Sequence, residues 1–327
     1  MKHYKIAVLG PIPRDRIITP SKEVIEKYGC ATHTTIALSN LLGEDGTVYP
    51  ITHVQKKDEQ KVKDVFEPYN NIVTDYIDSS ADQGDVITLT FKNQNVREEK
   101  QTAFMNPIKQ LDVLEVLKSD AFVMVPVTDF EVPLATLKFI KAHNPSAKII
   151  FDAHGPTNCL AIDGARYMKV WVNRDAWLPY IDVLKMNLEE AHCCWFEDDF
   201  HKKDLYTYDD ECKKQLPKFA QHCINLGVKA VYITLDSRGV LVFYAEGGEL
   251  KQEIVKCVQV DHVVDTTGCG DSFAAGLGYS LVVHEGDYAK AAQYGNAMGA
   301  QRTQGRTFEV FKTLEETEKM IAENYDK

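Results

Sequence analysis

The sequence has no C-x-x-C pair among its eight cysteines, no internal repeat, no low-complexity tract and no long flexible linker. In a chain of 327 residues this cysteine usage points to reduced thiols rather than a disulfide framework, and so to a cytoplasmic compartment. No segment approaches the roughly 20 apolar residues that span a bilayer, and the run in MKHYKIAVLG is too short for a signal peptide. No Lys/Arg cluster runs along a chain whose formal net charge is -11, so nucleic acid is excluded as the main partner and no membrane association is expected. What is present is 44% hydrophobic content, enough to fill one large α/β domain with a smaller appendage.

Short apolar runs alternate with amphipathic stretches along the chain. KIAVLG, DAFVMVPV, AKIIFDAH, IDVLKMN and AVYITLD are short and apolar, several rich in β-branched residues, and they read as buried strands of a parallel sheet. Between them THTTIALSNLLG, VPLATLKFIKAH and CKKQLPKFAQHCINLG read as helices, the first and last closed by Gly. The alternation predicts a doubly wound, mainly parallel α/β sheet flanked by helices. Two regions leave this rhythm, Arg14 to Cys30 and Asp85 to Met105. Both carry alternation, which predicts a separate small sheet, with an irregular surface excursion as the alternative. The boundaries that follow are 14–30 and 85–105 for the small β unit, with 1–13, 31–84 and 106–327 as the main domain. The adjacent Cys193 and Cys194 are expected as helix residues near the surface.

The stretch Asp265 to Gly276, DTTGCGDSFAAG, follows a partly alternating, strand-like run, VKCVQVDHVV. Gly268 and Gly270 lack a Cβ, so the backbone there can turn its N–H groups toward one point. The spacing Phe273, Leu277, Leu281 suits one helix face, which places Gly268 to Asp271 at a helix N-terminus. Orphan amides and the positive end of the helix dipole then converge on a spot that binds anions. Asp271 is there either as a helix cap or as a general base beside a phosphoryl group, and mechanics alone leaves both open. The third glycine of G-x-G-x-x-G is missing and there is no Gly-Lys-Ser/Thr, so neither a dinucleotide fingerprint nor a Walker loop is present.

DTTGCGDSFAAG resembles the carboxy-terminal signature Asp-Thr-x-Gly-Ala-Gly-Asp of the ribokinase-like (PfkB) carbohydrate kinases, with Cys269 where Ala is common. The resemblance implies that Asp271 is the base and that Gly268, Cys269 and Gly270 form the anion hole for the transferring phosphate. MNLEEA resembles the family's Asn-x-x-Glu element, which assigns Asn187 and Glu190 to ATP and Mg²⁺, with Glu190 acting through water. YITLDSRGVLVF resembles the Thr-Leu-Gly-x-x-Gly nucleotide loop with Thr234 and Gly239 in place and Asp236 replacing the first Gly. AAQYGNAMGAQRTQGRT resembles the segment over adenine and places Asn296 and Gly305 near the base. Asp265 and Thr267 match a site that in many relatives holds a monovalent cation, often potassium, whose remaining oxygens the sequence does not place.

The acceptor end departs further from the family pattern. Gly10 and Asp15 in LGPIPRD keep the spacing of the family's sugar-binding Asp, so Asp15 is assigned to substrate hydroxyls. YGCATHTTIALSNLLG keeps Gly29, but Cys30 stands where a second Gly is usual and Thr34 where Asn is usual. Arg14, Arg16 and His33 lie beside these positions, either facing an acidic group on the acceptor or facing solvent and the lid. His154 and Arg166 follow a strand end and are left open as further pocket residues.

The sequence therefore predicts an ATP-dependent kinase for a hydroxyl of a small sugar or sugar derivative. The small sheet resembles the family's lid, and lids of this family often pair, which leaves a homodimer open. A nucleoside kinase of the same family, or a non-catalytic sugar or nucleotide sensor on the same fold, are the alternatives.

Overall fold

The computed structural model describes residues 2–92, 97–195 and 208–326. β1 (Tyr4–Leu9) shows why there are two cores. Its pleat sends Ile6 and Val8 to one face of the sheet and Ala7 and Leu9 to the other, and all four are fully buried.

Along the chain β1 is followed by β2 (Arg14–Ile18), β3 (Val24–Tyr28), α1 (Ala31–Leu42), β4 (Gly46–His53), α2 (Lys56–Phe66) and the two-residue β5 (Ile77–Asp78). Next come β6 (Val86–Phe91), β7 (Arg97–Ala103), β8 (Ala121–Met124), α3 (Leu134–His143), β9 (Lys148–Asp152), β10 (Asn158–Leu160) and β11 (Arg166–Met168). The second half holds β12 (Val183–Asn187), α4 (Leu188–Cys194), α5 (Asp210–Asn225), β13 (Ala230–Thr234), β14 (Val240–Glu246) and β15 (Glu249–Val255). It closes with α6 (Cys269–Val283), α7 (Tyr288–Arg302) and α8 (Leu314–Tyr325).

The main sheet runs β15-β14-β13-β12-β9-β8-β1-β4-β5. It is parallel from β13 to β5, with β14 and β15 added antiparallel at one edge. Side chains of α1, α6, α7 and α8 pack on the Ile6 face, among them Leu38, Phe273, Met298 and Ile321. The Ala7 face is covered by Leu137 and Ile140 of α3, Phe219 of α5, and Trp171 and Trp177. β1 has β4 on one side and β8 on the other, so the winding reverses there, and ligands of such sheets bind beyond the strands' carboxyl ends at that reversal.

A second sheet, ordered β3-β2-β6-β7, joins the two segments that broke the βαβ rhythm. β2 pairs with β6 in parallel, while β2 with β3 and β6 with β7 are antiparallel. The polar connection of that last hairpin, 93–96, lies outside the described residues. Among the described residues no helix is long and apolar enough to cross a membrane.

Two local expectations are corrected. Only Val255 of VKCVQVDHVV belongs to a strand, because the following residues find no partner strand, and Val263 and Val264 are exposed. Cys193 and Cys194 lie on α4 but are buried rather than near the surface, since the helix turns them toward the sheet.

Candidate active site

The carboxyl ends of β9, β12 and β13, the start of α6 and the inner face of the small sheet enclose a cleft of about 1080 Å³. That is room for a nucleotide and a small acceptor together. At its centre α6 begins. Gly268 caps the helix with φ 83°, a conformation that L residues rarely adopt, and a Cβ there would lie 2.4 Å from the His33 ring. The amides of the first turn have no intrahelical acceptor and point along the positive end of the dipole. Among them Cys269 N–H donates to the Thr266 carbonyl at 3.3 Å.

Asp271 stands in that first turn, half-buried and lining the cleft. Burial pushes its carboxyl up from the ordinary value, against the opposing pull of Lys185 and His154. Its side chain caps nothing: Cys30 Sγ is 3.7 Å from Oδ1 and also donates to the Val125 carbonyl at 3.1 Å. Cys30 itself has φ 46°, a left-handed value consistent with the Gly usual there. Thr34 is enclosed and donates to the Asp271 carbonyl at 3.0 Å, which ties α1 to the start of α6 and takes Thr34 out of the cleft.

Two charged residues at this centre escaped the sequence reading. Lys185 of β12 donates to Asp152 of β9 at 2.6 Å, and both are buried. Lys185 Nζ lies 3.0 Å from where a Cβ on Gly270 would stand, so its charge sits under the turn that opens α6. Burial alone would lower the Lys185 pKa, but Asp152 and Glu190 outweigh it and the net shift is upward. Burial pushes Asp152 up to about 6 despite Lys185. The available signal was a lone Lys in the apolar run IDVLKMN, since a charge in a buried strand needs a partner.

Asn187 and Glu190 form a capping box at the start of α4. Asn187 Oδ1 accepts from Glu190 N at 2.8 Å, and Glu190 Oε2 accepts from Asn187 N at 2.8 Å. Glu190 Oε1 takes His154 Nδ1 at 2.8 Å. Its carboxylate is engaged on both oxygens, so an Mg²⁺ ion would meet it through water. Neighbouring Glu189 is pushed up to about 7 by burial and by the charges of Glu190 and Asp236, a repulsion that a divalent cation carried in on phosphates would relieve. No group of three acids, histidines or cysteines gathers to hold a metal by itself among the described residues. The residues thus fit an Mg²⁺ held mainly by a ligand's phosphates.

Thr234, Asp236 and Gly239 line the far end of the cleft with Val258, Val260 and Ala300. Asp236, standing where the family has Gly, has φ 51°, and Asp is among the few residues that tolerate it. Asn296 also lines this end, but its amide donates to the Lys256 carbonyl at 2.9 Å and so braces the chain after β15. Gly305 is not a lining residue and its carbonyl accepts from Arg302 at 2.5 Å.

At the opposite end lie Asp15, Pro13, Ile87, Leu89, Glu99, His154 and Arg166. Asp15 is buried, and its Oδ2 is 2.2 Å from where a Cβ on Gly29 would stand, which is why Gly29 belongs here. Arg166 donates to the Val127 carbonyl at 2.6 Å, meets His154 Nε2 at 3.0 Å and pairs with Glu99 of β7 at 3.4 Å. A polar chain thus runs from Glu190 through His154 and Arg166 to the small sheet.

Arg14 and His33 do not join this end. The pleat of β2 turns Arg14 and Arg16 to the face opposite Asp15, and Arg14 sits 3.8 Å from Asp58. His33 is buried behind Gly268, where Arg302 Nε meets its Nδ1 at 3.2 Å. The positive charge beside the acceptor end comes from Arg166 instead. Thr267 lines the cleft, and Asp265 Oδ1 accepts from its N–H at 2.9 Å.

Comparison with known proteins agrees with this fold. A ribokinase from Arabidopsis thaliana is 36% identical over 72 residues, 22% of this chain, and the match spans 18% of that relative's length. The solved structure of Arabidopsis thaliana ribokinase complexed with ribose and ATP superposes with a TM-score of 0.71 at 16% identity, covering 98% of this chain and 99% of that one. A pyrophosphate-dependent kinase in the ribokinase family, complexed with a pyrophosphate analogue and myo-inositol, also scores 0.71 at 18% identity, covering 93% of this chain and 98% of that one. These likenesses show the fold, and the model of the pfkB family carbohydrate kinases matches residues 74–307. The chain belongs to the pfkB family of carbohydrate kinases.

Proposed function

We propose that this protein transfers the terminal phosphoryl group of ATP to a hydroxyl of a small sugar or sugar derivative. The observation that carries the reading is Asp271: a half-buried acid with a raised pKa, beside the first-turn amides of α6 and near the buried Lys185 charge. The acid takes the proton from the acceptor hydroxyl as that oxygen bonds to the terminal phosphorus and the bond from this phosphorus to the bridging oxygen breaks, ADP leaving with the oxygen, while the Gly268 to Gly270 amides stabilise charge on the phosphoryl oxygens. Lys185 adds fixed positive charge on the same side. Asn187 and Glu190 would hold Mg²⁺ through water, and the ion when bound neutralises the donor's phosphates.

Thr234, Gly239 and the apolar wall of Val258 and Val260 suit the donor's nucleoside, with Asn296 holding that wall in place. A cleft of about 1080 Å³ with the apolar side chains Val258 and Val260 in its lining favours ATP over pyrophosphate, the donor of one structural neighbour. Asp15 and the Arg166–His154 pair take the acceptor. The small sheet, 14–30 and 85–105, is the lid whose closure excludes water, and the rest of the chain is the main domain. Lid pairing would give a homodimer. The eight free thiols suit a reducing, cytoplasmic setting.

The test is phosphate transfer from ATP and, separately, from pyrophosphate over a panel of sugars, sugar acids, sugar phosphates and nucleosides. Transfer from ATP to a sugar-like alcohol is expected. Transfer only from pyrophosphate, only to nucleosides, or to no acceptor with either donor would refute it.

A further inference from the structure

The residues around Asp265 do not fit the monovalent cation that the family resemblance implies. Both carboxylate oxygens are taken by donors: Oδ1 by Thr267 N–H at 2.9 Å, and Oδ2 by Arg302 Nη2 at 2.9 Å and Lys27 Nζ at 3.1 Å. Three carbonyls nearby are engaged as well. Gly305 O accepts from Arg302 Nη1, Thr303 O from Val264 N–H at 2.7 Å, and Ala300 O from Thr303 Oγ1 at 2.7 Å. An added ion would find oxygens already facing protons and two fixed positive charges beside it.

We propose that the Arg302 guanidinium, with Lys27, stands permanently in the cation's place, so that the catalytic turn is set without potassium. Arg302 is fully buried, and a buried guanidinium persists only where its donors are matched. Here they are matched by the Asp265 turn, the Gly305 loop and His33. His33 in turn lies under Gly268, so the planar fork fixes the ring against which the anion-binding turn rests. Burial and the neighbouring Arg302 hold His33 neutral, which suits an Nδ1 that accepts. Lys27 belongs to β3, so the same carboxylate also fastens the small sheet to the catalytic turn. Arg302 is thus a positioning residue rather than a group that touches the reacting atoms.

The inference rests on the kinase reading only for why the turn matters, and its test reads melting temperature, which needs no turnover. Wild-type protein is melted in potassium chloride and in choline chloride at equal ionic strength, beside Arg302→Ala, which uncovers the Asp265 carboxylate and the Gly305 carbonyl. The wild type should melt at the same temperature in both salts. Arg302→Ala should melt lower and recover specifically on adding potassium or millimolar guanidinium ion. Potassium-specific stabilisation of the wild type would overturn the proposal, as would a folded Arg302→Ala that answers to neither ion. Should Arg302→Ala not fold, Lys27→Met serves, expected to melt lower with no potassium response; a potassium response there would also overturn it.

Discussion

Replacing Lys185 with Met would leave the Asp152 carboxylate buried beneath the Gly268–Asp271 turn without its lysine partner. An uncompensated buried charge of this kind costs about 3–5 kcal/mol. The escape is protonation, which from a folded-state pKa of about 6 costs about 1.4 kcal/mol at about pH 7 and nothing at about pH 5, where the acid already carries its proton. The cheaper route sets the limit. Lys185→Met is therefore expected to lose roughly 1–2 kcal/mol near pH 7 and little near pH 5. Adding Asp152→Asn removes the stranded charge and should restore most of the loss at neutral pH. Urea unfolding followed by tryptophan fluorescence reads this directly, because Trp171 and Trp177 pack on Phe151, next to Asp152 in β9. The restored double variant then isolates the catalytic role: its phosphoryl transfer should stay about 10²-fold or more below wild type. Equal destabilisation at both pH values, or a double variant no more stable than the single one, would refute the reasoning.

Two further outcomes follow from the same geometry. Gly29→Ala would place a Cβ 2.2 Å from Asp15 Oδ2 and displace that carboxylate, so the Michaelis constant for the acceptor should rise about tenfold or more while nucleotide affinity holds. An unchanged acceptor constant by steady-state kinetics would remove Asp15 from the acceptor site. Asp85 ties the two ends of the small-sheet excursion by accepting from Met105 N–H at 2.6 Å, and burial pushes its pKa up to about 6. A raised carboxyl contributes its stability below the unfolded value of 3.8 and loses it as pH climbs through about 6. Asp85 is coupled to the buried Glu131, which alone of the two titrates in Asp85→Asn, so the wild type's advantage over that variant should fall between about pH 4 and pH 7 in urea unfolding. A pH-independent difference would count against this.

The turn from Asp265 to Asp271 and the Asn187–Glu190 pair were legible because each is a local device, in which glycines, a cap and a carboxylate act within a few residues of one another. The five buried strands were legible for a similar reason, since apolar runs in a parallel sheet need no partner to be recognised. What long-range packing decides was not. Lys185 finds Asp152 on the adjacent strand, a partner that the lone Lys in IDVLKMN calls for but does not name. Proximity in sequence leaves Arg14 and His33 open to the acceptor as well as to solvent and the lid, whereas the pleat of β2 and the burial of α1 turn them away from the cleft. Arg302 lies between Asn296 and Gly305, where attention goes to the nucleotide, yet its side chain reaches back to Asp265 and His33. The alternation in VKCVQVDHVV failed because a strand needs a neighbour as well as a pattern.

The central claim is that Asp271 takes the acceptor's proton. The most direct measurement is the turnover number of Asp271→Asn, with melting temperature and nucleotide affinity measured on the same preparation. Loss of the base should cost about 10²- to 10⁴-fold in rate, or about 2.7–5.4 kcal/mol in the barrier, while melting and nucleotide binding stay near wild type because a neutral amide replaces an acid that burial already disfavours as an anion. Turnover within a few-fold of wild type would contradict the account.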